Sequence, residues 1–215
     1  MATKSDETHP RPPRPRNSRA TKAVLLAAAT SEFAERGLAG ARIDRIAERA
    51  GANKRLLYVY FGDKEALFEA VLRHEIGQLL KETPLTDGDL VAFAAARFDY
   101  MLAHPETARL AAWRRFEHAH WSETEIESYR TRVDAVAAAQ RAGRLDDSLP
   151  AVDLFAVVLR ITESWLDAPP ALRAVAGTQP LSAERLDEHR AALLESVRRI
   201  TAPRRSGPER DASGA

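Results

Sequence analysis

The residues with the clearest chemistry are two cations and a phenol within one short segment, Lys54, Arg55 and Tyr58. An ammonium or guanidinium group binds phosphates and the edges of bases, and a phenol hydroxyl donates to phosphate oxygens. On a helix these side chains would share an outward face with Val59, because apolar residues supply the opposite face. That apolar face consists of Leu56, Leu57 and Phe61. The segment is therefore predicted to be a short helix of the kind that enters the major groove of DNA.

A turn and two further helix starts surround this segment. An apolar stripe at helical spacing predicts a preceding helix, and its members are Ile43, Ile46, Ala47 and Ala50. Gly51 follows and supplies the backbone freedom that a helix end requires. Asn53 can cap the next helix with its side-chain oxygen, and Asp63 can cap a third that starts at Lys64. Helix, turn, helix and capped third helix follow one another in the order that a DNA reader needs.

The same stretch resembles the DNA-binding segment of the TetR (tetracycline repressor-like) family over residues 20–72. The matching positions are Ile46-Ala47, Ala50-Gly51, the run Leu57-Tyr58-Val59-Tyr60-Phe61 and Lys64-Glu65-Ala66-Leu67, with Ala27, Ala28, Phe33 and Gly37 upstream. Many spaced positions agree together, so the match is more specific than a generic helix-turn-helix pattern. The resemblance implies an all-α protein with an N-terminal three-helix helix-turn-helix DNA-binding domain and a C-terminal helical domain for effector binding and dimerisation.

The outward face and the resemblance together nominate eight residues for DNA contact. They are Arg42, Arg45, Asn53, Lys54, Arg55, Tyr58, Tyr60 and Lys64. Lys54 and Arg55 are expected at base edges or adjacent phosphates, and the two tyrosines at phosphates. Arg42 and the amide end of the helix that starts at Lys64 would anchor the DNA backbone.

Three departures from the family pattern limit what the resemblance says about the operator, and one of them is Arg55, where many relatives have Gly or Pro. The family commonly has Thr or Ser directly before its second helix, where this chain has Ala41 and Arg42, so a charged group stands in for a hydroxyl contact to phosphate. Leu56 occupies a position where many relatives place a small polar residue that reads a base. The operator sequence therefore cannot be taken from a relative.

Charge is distributed unevenly along a chain whose net charge is only +1. Residues 1–73 contain 14 Lys and Arg against 9 Asp and Glu, whereas residues 74–215 contain 18 against 22. The basic part is thus the part with the predicted helix-turn-helix, as a DNA reader requires. Cysteine is absent, which excludes disulfides and thiolate chemistry. No signal-peptide pattern and no run of 18 apolar residues occur, so we expect a soluble, cytoplasmic protein without a membrane partner.

The chain is predicted to have four parts. Residues 1–17 form a basic, proline-rich arm that either follows DNA phosphates or is a disordered, solubilising tail. Residues 18–63 form the DNA-binding domain, residues 64–202 the helical effector-binding and dimerisation domain, and residues 203–215 a disordered tail. The helix from residue 64 is shared as a connector. Beyond it, helices are predicted at 89–103, 105–119, 123–142, 151–167, 170–176 and 183–201.

Two C-terminal segments have the pattern of self-associating helices. Residues 151–167 are apolar around most of the helix circumference, and a seam of apolar residues runs along 183–201. Both segments could equally form the core of one protomer. TetR-like proteins pair two such helices across a dimer axis, so the resemblance implies a homodimer. The residues nominated for this interface are Phe155, Leu159, Leu186, Leu193, Val197 and Ile200.

The middle helices carry the aromatic side chains that a ligand cavity would need. The nominated pocket residues are Phe98, Met101, Trp113, Phe116 and Trp165, although aromatic residues at helical spacing are more often core than pocket. The family resemblance implies a repressor that binds a palindromic operator as a dimer and is relieved by an unknown small-molecule effector. The shared helix would transmit the change, because it belongs to both halves.

Two other functional classes are an enzyme or metal protein and a small-molecule sensor that does not read DNA. No histidine pair has the spacing of a metal site, and no GxSxG or phosphate-binding glycine loop occurs, so we expect no metal, no cofactor and no catalytic residue. The alternative to a DNA-binding regulator is a helical protein that senses a small molecule without reading DNA. Such a protein would lack sequence preference and steep salt dependence in DNA binding.

Overall fold

The chain folds into a series of α-helices joined by short turns. The computed structural model describes residues 15–116 and 122–204, with side chains from residue 18. Over these residues the helices are α1 (Pro15–Gly40), α2 (Ile43–Arg49), α3 (Lys54–Phe61), α4 (Lys64–Glu82), α5 (Leu90–Ala103), α6 (Pro105–Phe116), α7 (Glu123–Arg141), α8 (Ala151–Glu163), α9 (Pro170–Val175) and α10 (Ala183–Thr201). The structure confirms the predicted all-α class.

Two compact units divide the described residues. The first contains the described residues up to 74 together with 109–116, and the second contains 75–108 and the described residues from 122. The division therefore falls within α4, whereas the sequence predicted a domain change at residue 64 with this helix as a shared connector. None of the described helices is both long enough and apolar enough to cross a membrane.

The first unit is built on the helix-turn-helix. Helix α1 packs against α2 and α2 packs against α3. The interior is formed by Leu25, Ala29, Phe33, Ile46, Leu57, Leu67, Phe68, Val71 and Leu110. Phe33 and Phe68 meet edge to face with ring centroids 5.0 Å apart. Near its end α1 is interrupted at Gly37, whose φ of 63° and ψ of −177° lie outside helical values.

The turn between α2 and α3 is short because its backbone groups bond back into α2. Gly51 has φ of 59°, the left-handed conformation that favours glycine, and its N–H donates to the Glu48 carbonyl at 3.0 Å. The Ala52 N–H reaches back to the Ala47 carbonyl at 3.0 Å. Asn53 then caps α3, accepting from the Arg55 N–H at 2.8 Å. These bonds fix the direction in which α3 leaves the turn.

The second unit packs α5, α7, α8 and α10 around one core. Helix α5 contacts α8 and α10, α7 contacts α8, and α10 contacts α8. Their shared interior consists of Leu90, Phe93, Ala94, Phe98, Val136, Leu154, Phe155, Val158, Leu193 and Val197. At the entry to α5, Gly88 has φ of 74° and a Cβ there would lie 2.5 Å from the Ala139 Cβ. Only glycine lets the chain pass α7 this closely.

Three of the six residues predicted for a dimer interface lie inside this core, and that assignment is corrected. Phe155 is 3% exposed, Leu193 2% and Val197 0%, because they face α5, α7 and each other within one protomer. Leu159 and Leu186 are half-buried and pack against the same core. Ile200 is exposed. The apolar stripes of α8 and α10 therefore serve mainly the fold of a single chain.

Candidate nucleic-acid interface

The outward face of α3 presents the side chains that the sequence nominated. Lys54, Arg55, Tyr58 and Val59 are exposed, and Leu57 on the opposite side is 2% exposed. Leu56, Tyr60 and Phe61 are half-buried and pack against the interior of the first unit. Helix α3 thus has one buried and one exposed side, because its apolar and polar residues alternate at helical spacing.

Lys54 makes an ion pair with Asp44, which lies in the first turn of α2. The Nζ–Oδ1 distance is 3.1 Å, and both side chains are more than half exposed. An exposed pair of this kind contributes only about 0.2–1 kcal/mol, so a phosphate can replace the carboxylate at little cost. Lys54 is therefore held near its outward position and still free to exchange partners.

A buried carboxylate ties α2 to α1 behind this face. Glu32 is 1% exposed, and its Oε1 accepts from the Arg42 backbone N–H at 3.1 Å and from Arg45 Nε at 2.7 Å. Arg45 also donates from its terminal nitrogen to the Gly40 carbonyl at 2.7 Å. The guanidinium group of Arg45 is thus held by acceptors of its own chain, and its contact with DNA stays a prediction. Its role is to brace α2.

The charge state of Glu32 follows from these bonds. Burial by itself would raise the pKa of this carboxyl, but hydrogen bonds from Arg45 and from the Arg42 N–H, with the nearby positive charges, hold the pKa below its ordinary value. Glu32 was not among the residues predicted to matter for this site. A signal was present, since Glu32 lies three and four residues after two alanines of the buried stripe of α1, Ala28 and Ala29.

The remaining nominated residues lie around the ends of these helices. Arg42 precedes α2 with an exposed side chain, and Lys64 begins α4 half-buried, behind the Asp63 cap that accepts from the Ala66 N–H at 2.7 Å. Tyr60 is half-buried, with its ring edge-to-face to Phe61. One further cation joins them from α1, since Lys22 Nζ lies 5.4 Å from the Phe61 ring centroid. The arginines of residues 1–14 lie outside the described residues.

The five predicted pocket residues divide between the two units. Trp113 and Phe116 belong to the first unit, where Trp113 Nε1 donates to the Ala34 carbonyl at 3.3 Å and Phe116 is exposed. Phe98, Met101 and Trp165 belong to the second unit and are buried. The prediction did not separate these two groups, because spacing along one helix does not reveal which unit a residue joins.

Around Trp165 the second unit forms an aromatic cluster with His189. The two rings stack with centroids 5.3 Å apart, and the Arg185 guanidinium carbon lies 4.4 Å from the Trp165 ring centroid. The Phe98 ring centroid lies 5.7 Å from that of His189. Trp165 Nε1 donates to the Pro180 carbonyl at 2.9 Å. Burial, together with the Arg185 charge, lowers the pKa of His189.

Three cavities of the second unit that are lined by described residues have walls other than the predicted pocket residues. One of them has a volume of about 790 Å³ and is bounded by residues 84–92 and by the C-terminal ends of α7 and α10. The two others, of about 690 and 560 Å³, lie beside α9 and between α4 and α5. Among the described residues, no three His, Asp or Glu side chains gather as a metal site would require.

Comparison with known protein families agrees with the geometry. A family model described as bacterial regulatory proteins, tetR family, matches residues 25–71, and one described as tetracyclin repressor-like, C-terminal domain, matches residues 89–199. The first match contains α2 and α3 with the capped turn between them, and the second begins at the cap of α5.

Relatives match over most of the chain. The HTH-type transcriptional repressor SCO4008 of Streptomyces coelicolor is 36% identical over 190 residues, which cover 86% of this chain and 97% of that protein. The solved structure of SCO4942 from Streptomyces coelicolor is 34% identical, covers 86% of this chain and 99% of that one, and superposes with a TM-score of 0.74. A TetR family transcription regulator from Marinobacter aquaeolei VT8 shares the fold, with a TM-score of 0.68 at 18% identity and coverage of 89% and 100%. The chain therefore belongs to the tetR family of bacterial regulatory proteins and is a DNA-binding transcriptional regulator, not an enzyme.

Proposed function

We propose that this regulator represses transcription by binding a palindromic operator as a homodimer, and that a small molecule bound by the second unit releases it. The observation that carries the proposal is the exposed cationic side of α3, held by a capped turn and by the Glu32 brace. A similar protein, SCO4008, is named a transcriptional repressor. The direction of regulation rests on that similarity.

The proposed DNA contacts keep seven of the eight nominated residues. Lys54 and Arg55 reach base edges or adjacent phosphates, and the phenol groups of Tyr58 and Tyr60 donate to phosphates. The backbone anchors are Arg42 and Lys64. Asn53 uses its side-chain oxygen to cap α3, so its amide nitrogen is the part left for DNA. Arg45 supports these residues from behind.

Dimerisation is proposed through the apolar residues of α8 and α10 that the core of one protomer leaves uncovered. Val152, Val157 and Ile200 are exposed, at 55%, 44% and 37%. Leu159 and Leu186, which are half-buried, complete this surface. Two copies of α3 then contact two half-sites about one helical turn apart, which roughly doubles a discrimination of about 1–3 kcal/mol per base contact.

The effector is proposed to be a small apolar or amphipathic molecule held by the second unit beside Phe98, Met101 and Trp165. Helix α4 links this event to DNA because it contributes residues to both units. The buried Arg132 of α7 holds the C-terminal end of α4, donating to the carbonyls of Leu80 at 2.6 Å and Thr83 at 3.1 Å. A shift of α7 on ligand binding would therefore move the end of α4.

Selection of bound sequences from a random duplex pool tests this function. We expect an inverted repeat to be enriched, bound by two protomers, with an affinity that falls steeply as salt is added. The matched variant Lys54→Glu with Arg55→Glu should lose binding while its circular dichroism spectrum keeps the helical signal. A folded sample that enriches no sequence and shows no salt dependence would favour the alternative, a small-molecule sensor that does not read DNA.

A further inference from the structure

An apolar side chain stands uncovered in the middle of the proposed DNA-reading face. Val59 is 67% exposed, whereas Leu57, two residues earlier on α3, is 2% exposed. Arg55 precedes Val59 by four residues and is therefore its neighbour on the same side of the helix. Tyr58, beside it in sequence, is 51% exposed. Val59 thus extends the exposed side and takes no part in the core.

The chemistry of valine narrows what it can recognise. Its side chain has no hydrogen-bond donor or acceptor, so it cannot pair with a phosphate or with a polar base edge. In the major groove the apolar group that a base pair offers is the C5-methyl of thymine. Valine is also stiff about χ1 in a helix, so little side-chain freedom is lost when it packs against a base.

We infer that Val59 reads a thymine methyl group in each half-site of the operator and is thereby a specificity-determining residue. The inference rests on the proposed function, because it requires α3 to lie in the major groove. Leu56, the other apolar candidate near Arg55, is half-buried and packs inward against the first unit. Val59 is therefore the aliphatic side chain that this side of α3 offers to a base.

The position of the thymine follows from helix geometry. Arg55 and Val59 are separated by about 6 Å along the helix axis, at about 1.5 Å per residue. Base pairs in the duplex rise by about 3.4 Å each. The thymine should therefore lie within about two base pairs of the base or phosphate that Arg55 contacts, and selected operators should keep it in both half-sites.

Replacement of thymine by deoxyuridine tests the inference, because it removes only the methyl group. Starting from a selected operator, each thymine is replaced in both half-sites and the dissociation constant is measured. For the wild-type protein one symmetric pair of replacements should weaken binding by about fourfold per half-site, from the burial of one methyl-sized group. Val59→Ala, which loses the two γ-methyl groups, should show a clearly smaller penalty for the same replacements.

A matched variant separates methyl recognition from general loss of affinity. Tyr58→Phe removes a proposed phosphate donor on the same face. It should therefore weaken binding to both operators and leave the ratio of the two dissociation constants unchanged. Alanine is the best helix former, so Val59→Ala should remain folded.

Wild-type protein that binds its operator with steep salt dependence but tolerates every deoxyuridine would overturn the inference and leave the proposed function standing. A deoxyuridine penalty that is undiminished in Val59→Ala would likewise overturn it. Failure to enrich any operator would overturn the proposed function together with the inference.

Discussion

The replacement Glu32→Gln should destabilise the first unit, because it removes the buried charge that braces α2. One oxygen of Glu32 accepts from the Arg42 N–H at 3.1 Å and from Arg45 Nε at 2.7 Å, and the terminal nitrogen of Arg45 lies 2.6 Å away. Glutamine has nearly the same shape and retains an acceptor oxygen, but that oxygen carries no formal charge, so the hydrogen bonds to it are weaker. Charge-assisted bonds exceed neutral ones by roughly 1 kcal/mol each.

The expected loss at neutral pH is about 2 kcal/mol in the free energy of unfolding, for the two charge-assisted hydrogen bonds that Glu32 accepts, from Arg45 Nε and from the Arg42 N–H. Urea denaturation followed by circular dichroism measures it. Glu35→Gln is the matched control on the same helix, since Glu35 and its partner Arg49 are both exposed. An exposed pair contributes only about 0.2–1 kcal/mol, so this control should change stability far less.

The stability contributed by the Glu32 carboxylate should decrease as the pH falls. The pKa of Glu32 is lowered in the folded protein, so its contribution is complete above its ordinary value of 4.5 and is lost as pH falls through the lowered value. The difference between wild type and Glu32→Gln should be constant from neutral pH down to about that value and should shrink below it. Equal effects of the two replacements, or a difference that stays constant into strong acid, would refute the reasoning.

Three further predictions concern single residues. Asp44→Asn should strengthen operator binding by up to about fivefold per half-site in a gel-shift titration, since each Lys54 loses a competing carboxylate worth about 0.2–1 kcal/mol; weaker binding would contradict this. Arg132→Gln should cost about 2 kcal/mol or more of unfolding free energy in urea, because buried carbonyls at the end of α4 lose their donor, and a cost below about 0.5 kcal/mol would show that the arginine does not hold that end. Gly88→Ala should lower the melting temperature, because its φ of 74° and a 2.5 Å contact with the Ala139 Cβ oppose a side chain. The control Gly77→Ala lies in mid-helix with nothing within 4 Å and should leave the melting temperature unchanged or higher. A lower melting temperature for Gly77→Ala than for Gly88→Ala would argue against the close approach to α7.

The positions of most helices could be predicted from local sequence patterns. Helices α4 and α10 have the bounds that apolar periodicity predicted. The predicted cap of α4 also forms, because Asp63 accepts from the Ala66 N–H in its first turn. The exposed side of α3 was predictable for the same reason, since eight residues suffice to show two faces. One difference lies at the end of α8, which was predicted to continue to residue 167. The helix ends at Glu163, and residues 164–167 form turns.

Long-range partners were not predictable from spacing. The seam that contains Leu193 and Val197 has the pattern of a dimer contact, yet it serves the core, because an apolar stripe does not specify whether its neighbour is in the same chain. Arg45 was nominated for DNA contact, but spacing along the chain did not reveal that Glu32, 13 residues earlier, accepts from its Nε. Phe116 was assigned to a pocket and is exposed, since aromatic character alone does not fix burial.

The most direct test of the DNA-reading role of α3 is the salt dependence of operator binding for wild type and for Lys54→Gln with Arg55→Gln. Each lost phosphate contact reduces the slope of log affinity against log salt by about 0.9, and a dimer loses up to four contacts. We expect weaker binding and a slope reduced by about 2 to 4, with helical content unchanged. The same affinity and the same slope in a folded variant would contradict the assignment of α3 as the DNA-reading helix.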